Sequence, residues 1–203
     1  MINRTLLVIL VLLVAYVRTA AASDILIVGD SLSAAYGMPV EQGWVALLQQ
    51  RLARECPACR VINASISGDT TATARARLPQ AIDRHQPDLI ILELGGNDGL
   101  RGLSLQAMQQ NLAAMIEIAT AGGGRVLLVG VQLPPNYGPQ YTEKFHAIYR
   151  QLADEYTVAL VPSIVDGVGT RSELMQPDGI HPNAQAQPLI ADRVWTQLQP
   201  LLP

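Results

Sequence analysis

The chain has 203 residues, of which 14 are Lys or Arg, 17 are Asp or Glu and three are His, so its formal net charge at pH 7 is −3. That length suits one domain with a full hydrophobic core. An acidic chain without clusters of basic residues is a poor candidate for binding nucleic acid or an anionic membrane surface.

Residues 1–22 have the pattern of a secretory signal peptide. Arg4 precedes an apolar run over residues 6–17, and residues 20–22 (AAA) form a small-residue cleavage site. The alternative is a membrane anchor, but twelve apolar residues fall well short of the ~20 that a spanning helix needs. We therefore expect cleavage after residue 22 and a periplasmic or secreted protein without a stable membrane anchor. The mature chain is expected to be a single domain over residues 23–203.

The two cysteines, Cys56 and Cys59, are separated by two residues. In a cytosolic protein this spacing would suggest redox chemistry or half of a zinc site. A zinc site needs two more ligands, and the sequence has no second Cys pair and no His cluster. For an exported protein we expect a local disulfide in a surface loop, without a catalytic role.

Apolar strand-like runs alternate with helical patterns along the mature chain. In chain order, the first half is predicted as a strand (25–28), a helix (44–53), a short strand (61–62), a helical stretch broken or begun at Pro79, and a strand (89–94). The second half is predicted as a helix that Ser104 caps and glycines 122–124 end, a strand (126–131), a proline-rich loop (132–140), a helix (142–156), a strand (158–161), a loop (162–182) and a helix (184–198). Five apolar strands that alternate with helices predict one α/β domain, a three-layer sandwich around a five-stranded parallel sheet.

Polar residues follow four of the predicted strands. Ser31 follows the first strand, residues 67–69 (SGD) the second, residues 95–98 (GGND) the third and residues 178–181 (DGIH) the last. We expect Gly29 to permit a sharp turn just before Ser31. Because the carboxyl ends of parallel strands lie at one edge of the sheet, where such sheets bind ligands, these polar groups are expected to meet in one site.

Nucleophilic catalysis by a serine needs a base that takes the serine proton and a carboxylate that orients this base. Of the three histidines, His85 lies at a polar helix end and His146 lies in a helix without a carboxylate at a suitable loop spacing. His181 follows Asp178 by three residues in a glycine-containing turn, so both side chains can come from one loop. We predict that Ser31 is the nucleophile, His181 the base and Asp178 its orienting carboxylate.

Three groups could donate hydrogen bonds to the oxyanion: the backbone N–H groups of Ser31 and Gly68 and the side-chain amide of Asn97. Each assignment has a structural alternative. Asp30 and Ser31 could only cap the next helix, Gly68 and Asn97 could be ordinary turn residues, and residues 178–181 could form a capped turn before Pro182. The occurrence of all four turns in this order favours a catalytic site.

The sequence lacks the Gly-x-Ser-x-Gly elbow, the His-Glu-x-x-His zinc motif and the phosphate-binding loop.

Four segments resemble the conserved blocks of the SGNH, or GDSL, hydrolases. They are residues 29–33 (GDSLS), 63–70 (NASISGDT), 95–98 (GGND) and 178–182 (DGIHP), and two longer strings, 93–102 (ELGGNDGLRG) and 133–138 (LPPNYG), are similar to secreted bacterial members. The resemblance covers essentially the whole mature chain. It implies a flavodoxin-like fold, the triad Ser31, Asp178 and His181, and an oxyanion hole made by Ser31, Gly68 and Asn97.

The resemblance also implies an activity. Such a protein is expected to be a serine esterase that hydrolyses acyl esters and thioesters, including aryl esters, acyl-CoA-type thioesters and lysophospholipids, without metal or organic cofactor and as a monomer. The loops at residues 99–102 and 133–137 follow neighbouring predicted strands, so we expect Leu100, Leu133 and Pro134 to flank the acyl group. The alternatives are an acyltransferase that uses the same acyl-enzyme and a non-catalytic periplasmic acyl-binding module.

Overall fold

The computed structural model describes residues 23–203, so the predicted signal peptide lies outside the described residues. The strands are β1 (Ser23–Gly29), β2 (Cys59–Asn63), β3 (Leu89–Glu93), β4 (Arg125–Val129) and β5 (Ala159–Val161). The α-helices are α1 (Trp44–Glu55), α2 (Thr71–His85), α3 (Gly96–Leu100), α4 (Leu105–Ala121), α5 (Pro139–Tyr156) and α6 (Gln187–Leu198). All five strands pair in parallel in the order β2-β1-β3-β4-β5, which confirms the predicted parallel sheet.

Helices cover both faces of this sheet. α1 packs against α6, whereas α4 packs against α2 and α5. Connections between parallel strands are almost always right-handed. The chain moves one way from β1 to β2 and the other way through β3, β4 and β5, so α1 lies on one face and α2, α4 and α5 lie on the other. The result is the predicted three-layer α/β/α sandwich.

The core sits between the sheet and these helices. Side chains 25–28 of β1 and 89–92 of β3 are all buried, as expected for central strands that are covered on both faces. α4 buries Met108, Leu112, Met115 and Ile116 on one apolar face. The predicted cap of α4 is confirmed, because the Ser104 hydroxyl accepts a hydrogen bond from the Ala107 N–H at 3.2 Å.

The prediction that Pro79 breaks or begins a helix is wrong, because α2 passes through Pro79 without interruption. The helix is well capped at its start. The Thr70 hydroxyl accepts a hydrogen bond from the Thr73 N–H, and the Thr70 N–H donates to the Thr73 hydroxyl at 2.9 Å. This cap, together with the complete burial of Leu78, offsets the hydrogen bond that the proline cannot make.

Two predicted loops contain helical structure. Residues 96–100, which the sequence analysis treated as a turn, form the short helix α3 after Gly95, whose φ of +109° lies in the region that favours glycine. A single 3₁₀ turn, Pro135–Tyr137, interrupts the proline-rich loop, and α5 begins at Pro139 rather than at residue 142. Proline is well suited to the first turn of a helix because its missing N–H would have no intrahelical partner there.

Cys56 and Cys59 form the predicted disulfide, with their Cα atoms 5.3 Å apart. It joins the end of α1 to the start of β2. The loop that it closes lies at the surface as predicted, since Pro57 and Ala58 are exposed, but both cysteine side chains are buried and contact the hydrophobic core. Among the helices of residues 23–203, none is both long and apolar enough to cross a membrane.

The strand order determines where a site can form. The chain leaves β1 in one direction and β3 in the other, so the loops that follow these adjacent strands separate and leave a crevice at their carboxyl ends. Ligands of open α/β sheets bind at this kind of reversal. Ser31 follows β1 and Asn97 follows β3, so both residues lie at this crevice.

Candidate active site

Gly29 allows the chain to pass close to its neighbours just before Ser31. It is the last residue of β1, and its φ is not positive, so its backbone conformation does not by itself favour glycine. A Cβ at this position would lie 2.6 Å from the Ser33 Oγ and 2.9 Å from the Glu93 Oε2. The prediction that Gly29 permits this turn, which a residue with a Cβ would resist, is confirmed, and lack of space is the physical reason for the glycine.

Asp30 and Ser31 have different roles in the turn that follows β1. The Asp30 carboxylate accepts a hydrogen bond from the Leu32 N–H at 3.0 Å, so it caps this turn. The Ser31 hydroxyl instead lies 2.9 Å from the Nε2 of His181. Helix α1 begins only at Trp44. The alternative in which both residues merely cap the next helix therefore fails for Ser31.

His181 lies between Ser31 and Asp178. Its Nδ1 lies 2.7 Å from Asp178 Oδ2, while its Nε2 is directed at the serine. The other carboxylate oxygen, Oδ1, accepts hydrogen bonds from the backbone N–H groups of Ile180 (2.9 Å) and His181 (3.0 Å). The structure thus brings the three predicted residues into one hydrogen-bonded line, with distances suited to a nucleophile, its base and the orienting group.

The surroundings of Asp178 favour its charged form. Partial burial acts to raise the pKa of Asp178, but the hydrogen bonds from the backbone and ring of His181 and from the Ile180 N–H outweigh it, so the pKa lies below its usual range. Asp178 is therefore a carboxylate at neutral pH. A carboxylate beside Nδ1 holds the imidazole in the orientation that leaves Nε2 free to accept a proton.

The other two histidines lie elsewhere. His85 is the last residue of α2 and His146 lies within α5. Neither lines the cavity into which Ser31 and His181 open. Within residues 23–203, no group of three or more His, Cys, Asp or Glu side chains is arranged to hold a metal ion.

Asn97 lies in the first turn of α3, next to Asp30. Its Nδ2 lies 3.1 Å from Asp30 Oδ2 and 3.0 Å from the Asp69 carbonyl oxygen. Both amide hydrogens therefore have acceptors, and a substrate oxyanion would have to replace one of them. Along residues 23–203, the backbone N–H groups of Ser31 and Gly68 donate no hydrogen bond, which leaves both donors available.

Arg101 connects two of the three predicted oxyanion donors. Its Nη2 lies 3.0 Å from the Gly68 carbonyl oxygen and 3.3 Å from Asn97 Oδ1. Gly68 has a φ of +86°, so glycine is the favoured residue there. Because Arg101 donates to Oδ1, it directs the amide of Asn97 so that Nδ2 points toward Asp30 and Asp69. No pattern in the sequence pointed to this arginine.

Two carboxyl groups are buried beneath the turn that carries Ser31. Asp30 is 2% exposed and Glu93 is fully buried. Burial raises the pKa of Asp30 to about 6, although hydrogen bonds from the Leu32 N–H and Asn97 oppose it. Burial and the nearby charge of Asp30 raise the pKa of Glu93 well above its usual range. Glu93 accepts the hydroxyl hydrogen of Ser33 at 2.7 Å and so holds the turn that carries Ser31. In the sequence, Glu93 is distinguished only as an acidic residue near the end of an otherwise apolar predicted strand.

A cavity of about 580 Å³ adjoins Ser31, Asn97 and His181. The predicted residues Leu100, Leu133 and Pro134 all line it. Much of its remaining wall comes from the loop after β5, for which the sequence predicted no role in substrate binding. This loop contributes Val165, Gly169, Thr170, Met175 and Ile180. The cavity is therefore enclosed by loops that follow β1, β3, β4 and β5.

Comparison with known proteins identifies relatives over nearly the whole chain. Residues 27–188 match the GDSL-like Lipase/Acylhydrolase family. The chain is 54% identical over 190 residues to Esterase TesA of Pseudomonas aeruginosa, with 94% of each chain covered. It is 47% identical to Thioesterase 1/protease 1/lysophospholipase L1 of Escherichia coli K12, covering 91% of this chain and 88% of that one. The crystal structure of the psychrotrophic esterase EstA from Pseudoalteromonas sp., inhibited by monoethylphosphonate, has a TM-score of 0.83 at 40% identity and covers 88% of this chain and 98% of that one. The protein therefore belongs to the GDSL-like lipase/acylhydrolase family.

Proposed function

We propose that the protein is a serine esterase that hydrolyses acyl esters and thioesters through an acyl-enzyme on Ser31. The supporting observation is the hydrogen-bonded line from Ser31 through His181 to Asp178 at the edge of a cavity. A non-catalytic acyl-binding protein would need the cavity but not this line. The relatives named as an esterase and as a thioesterase and lysophospholipase support the same activity.

The geometry suggests the order of events. Ser31 Oγ attacks the acyl carbonyl carbon while His181 Nε2 takes its proton, and Asp178 stabilises the imidazolium that forms. The oxyanion accepts hydrogen bonds from the N–H groups of Ser31 and Gly68 and from the amide of Asn97. His181 then gives its proton to the departing alcohol or thiol. In the second half of the reaction, His181 activates a water molecule that releases the acid and restores Ser31.

The relatives' names suggest carboxylic esters, thioesters and lysophospholipids as substrate classes. The family resemblance adds aryl esters and acyl-CoA-type thioesters. Matched p-nitrophenyl esters and acyl thioesters, each from acetyl to palmitoyl, test this proposal directly. We expect saturable turnover on both leaving groups. Binding of these acyl compounds without turnover would support the acyl-binding alternative. Transfer of the acyl group to an added alcohol in preference to water would support the acyltransferase.

Leu100 and Leu133 are proposed to contact the acyl chain. Leu133→Ala and Leu100→Ala are expected to lower kcat/KM for long acyl chains by about tenfold, the effect of losing contact with one or two methylene groups. An acetyl group is expected to be too short to depend on these side chains, so the turnover of acetyl esters is expected to change about twofold or less. Leu103→Ala is the matched control, because Leu103 is an exposed leucine that does not line the cavity. An equal effect on all chain lengths would contradict this role.

We also propose that the protein is exported and that its mature form begins at Ser23. Ser23 belongs to β1 and is 1% exposed, so cleavage after residue 22 would keep all the described residues of this strand in the mature protein. The intact mass of protein from a periplasmic extract is expected to match residues 23–203. Recovery of the full-length chain from the membrane fraction would contradict this proposal.

A further inference from the structure

The imidazole of His181 contacts an aromatic ring that the proposed mechanism does not use. The ring centroid of Tyr36 lies 4.5 Å from that of His181, with an angle of 37° between the two planes. Ser31 and Asp178 contact the two ring nitrogens, and such hydrogen bonds lie close to the plane of the imidazole. The faces of the imidazole are therefore left for other contacts, and Tyr36 covers one of them.

Hydrogen bonds connect the Tyr36 backbone to both neighbouring parts of the site. The Tyr36 N–H donates to the Ser31 carbonyl at 3.1 Å. The side chain of Gln176 donates to the carbonyl of Tyr36 at 2.8 Å and to that of Pro182 at 3.1 Å. The Gln176 N–H donates to the His181 carbonyl at 2.7 Å. Tyr36 is thus held against the loop that carries His181.

The backbone around Tyr36 is unusual. Ala35, directly before it, has a φ of +56°, a conformation that residues with a Cβ rarely adopt. Gly37, directly after it, has a φ of +74°, and a Cβ there would collide with the side chain of Gln176. Rare backbone conformations of this kind cluster at functional sites, where the surrounding structure maintains them. The rare conformation of Ala35 is a second observation, independent of the ring contact, that concerns the contact between Tyr36 and His181.

Tyr36 is half-exposed, so burial of its ring does not account for this arrangement. When His181 takes the proton of Ser31, its imidazole becomes a cation. The face of an aromatic ring attracts a cation more strongly than it attracts a neutral imidazole. The contact between Tyr36 and His181 therefore becomes stronger as the transition state forms. The carboxylate of Asp178, 2.7 Å from Nδ1 of His181, acts in the same direction.

We propose that Tyr36 is a positioning residue that orients His181 and stabilises its imidazolium form through the face of its ring. The proposal rests on the proposed esterase function. It concerns the aromatic ring and not the hydroxyl group, because the contact is between the two rings. Both effects act on the steps in which His181 takes up or returns a proton. They therefore change kcat and the rate of phosphonylation of Ser31, and they leave KM nearly unchanged.

A series of substitutions at Tyr36 tests this proposal on the mature protein with a p-nitrophenyl ester. Tyr36→Leu and Tyr36→Met are expected to lower kcat about three- to tenfold, whereas Tyr36→Phe stays within about twofold and Tyr36→Trp equals or exceeds Tyr36→Phe. The rate of labelling by an organophosphonate is expected to follow the same order. Tyr156→Leu, at the distant end of α5, is the control and should leave kcat unchanged.

A merely structural role of Tyr36 would not make the kcat values of these variants depend on the presence of an aromatic ring. Wild-type kcat in both aliphatic variants, or equal losses in Tyr36→Phe and Tyr36→Leu, would overturn the proposal. Because two aliphatic variants are included, loss of folding in one of them leaves the comparison intact. Failure of the esterase function itself would appear differently, as absence of turnover in the wild-type protein.

Discussion

Ser31→Ala is expected to lower kcat by about 10⁶-fold, the loss typical of removing a serine nucleophile. Without Oγ there is no acyl-enzyme, and the oxyanion donors and the cavity can give only the residual acceleration that binding and charge stabilisation provide. Labelling by an organophosphonate is expected to disappear completely, since the phosphorus atom bonds to this oxygen. Steady-state turnover of a p-nitrophenyl ester and the intact mass after labelling measure the two effects.

Ser33→Ala is the matched control for this substitution. Ser33 lies two residues further along the same turn, but its hydroxyl donates to Glu93 and not to His181. This variant is expected to melt at a lower temperature, because Glu93 loses a buried hydrogen bond, and still to be labelled on Ser31. Labelling of the Ser31→Ala protein, or turnover by it at more than about a thousandth of the wild-type rate, would show that another group is the nucleophile.

Asn97→Ala is expected to lower kcat by about 10²–10³-fold and to leave KM little changed, because an oxyanion donor acts mainly in the transition state. Asn97 is the one proposed donor that acts through a side chain, so the substitution removes the hydrogen bond without altering the backbone. Ser31 and His181 keep their contact, so an organophosphonate should still label Ser31 fully, although more slowly. Steady-state kinetics and the time course of labelling test this expectation.

The structure also offers a non-catalytic role for Asn97, since its amide joins Asp30 to the Asp69 carbonyl. If this were its main role, Asn97→Ala would lower the melting temperature and raise KM while preserving kcat. Asn111→Ala is the control, because Asn111 also makes side-chain hydrogen bonds, to Thr71 and Arg75, but does not line the cavity. A preserved kcat in Asn97→Ala would remove Asn97 from the oxyanion hole.

Most of the fold could be predicted from local patterns. The central strands are continuous apolar runs because both of their faces are covered, so residues 25–28 and 89–92 were identified without any knowledge of their partners. The apolar face of α4 and its Ser104 cap were equally local features. Pro79 was misjudged because its effect on a helix depends on the strength of the cap and on the burial of neighbouring side chains. α3 was missed because a short glycine-rich segment has little helical propensity of its own.

The candidate site also contains some contacts that could be predicted from the sequence and others that could not. Asp178 and His181 lie three residues apart in one turn, so their pairing was evident from the sequence and from the family resemblance. The contacts that the sequence did not reveal join distant parts of the chain. Arg101 reaches Gly68 across 33 residues, and the ring of Tyr36 lies against His181 although 145 residues separate them. No residue pattern at either end of such a contact requires the other end.

The sequence by itself determined the class of the fold, the order of the elements and the polar residues at the strand ends, because each of these depends on neighbouring residues in the chain. Only the tertiary structure decided that Gly29 is required by the space near Ser33 and Glu93, and that the loop after β5 forms part of the cavity wall. It also decided that the hydroxyl of Ser31 lies 2.9 Å from a ring nitrogen 150 residues away. These features follow from the parallel sheet, which places the ends of distant strands side by side at one edge.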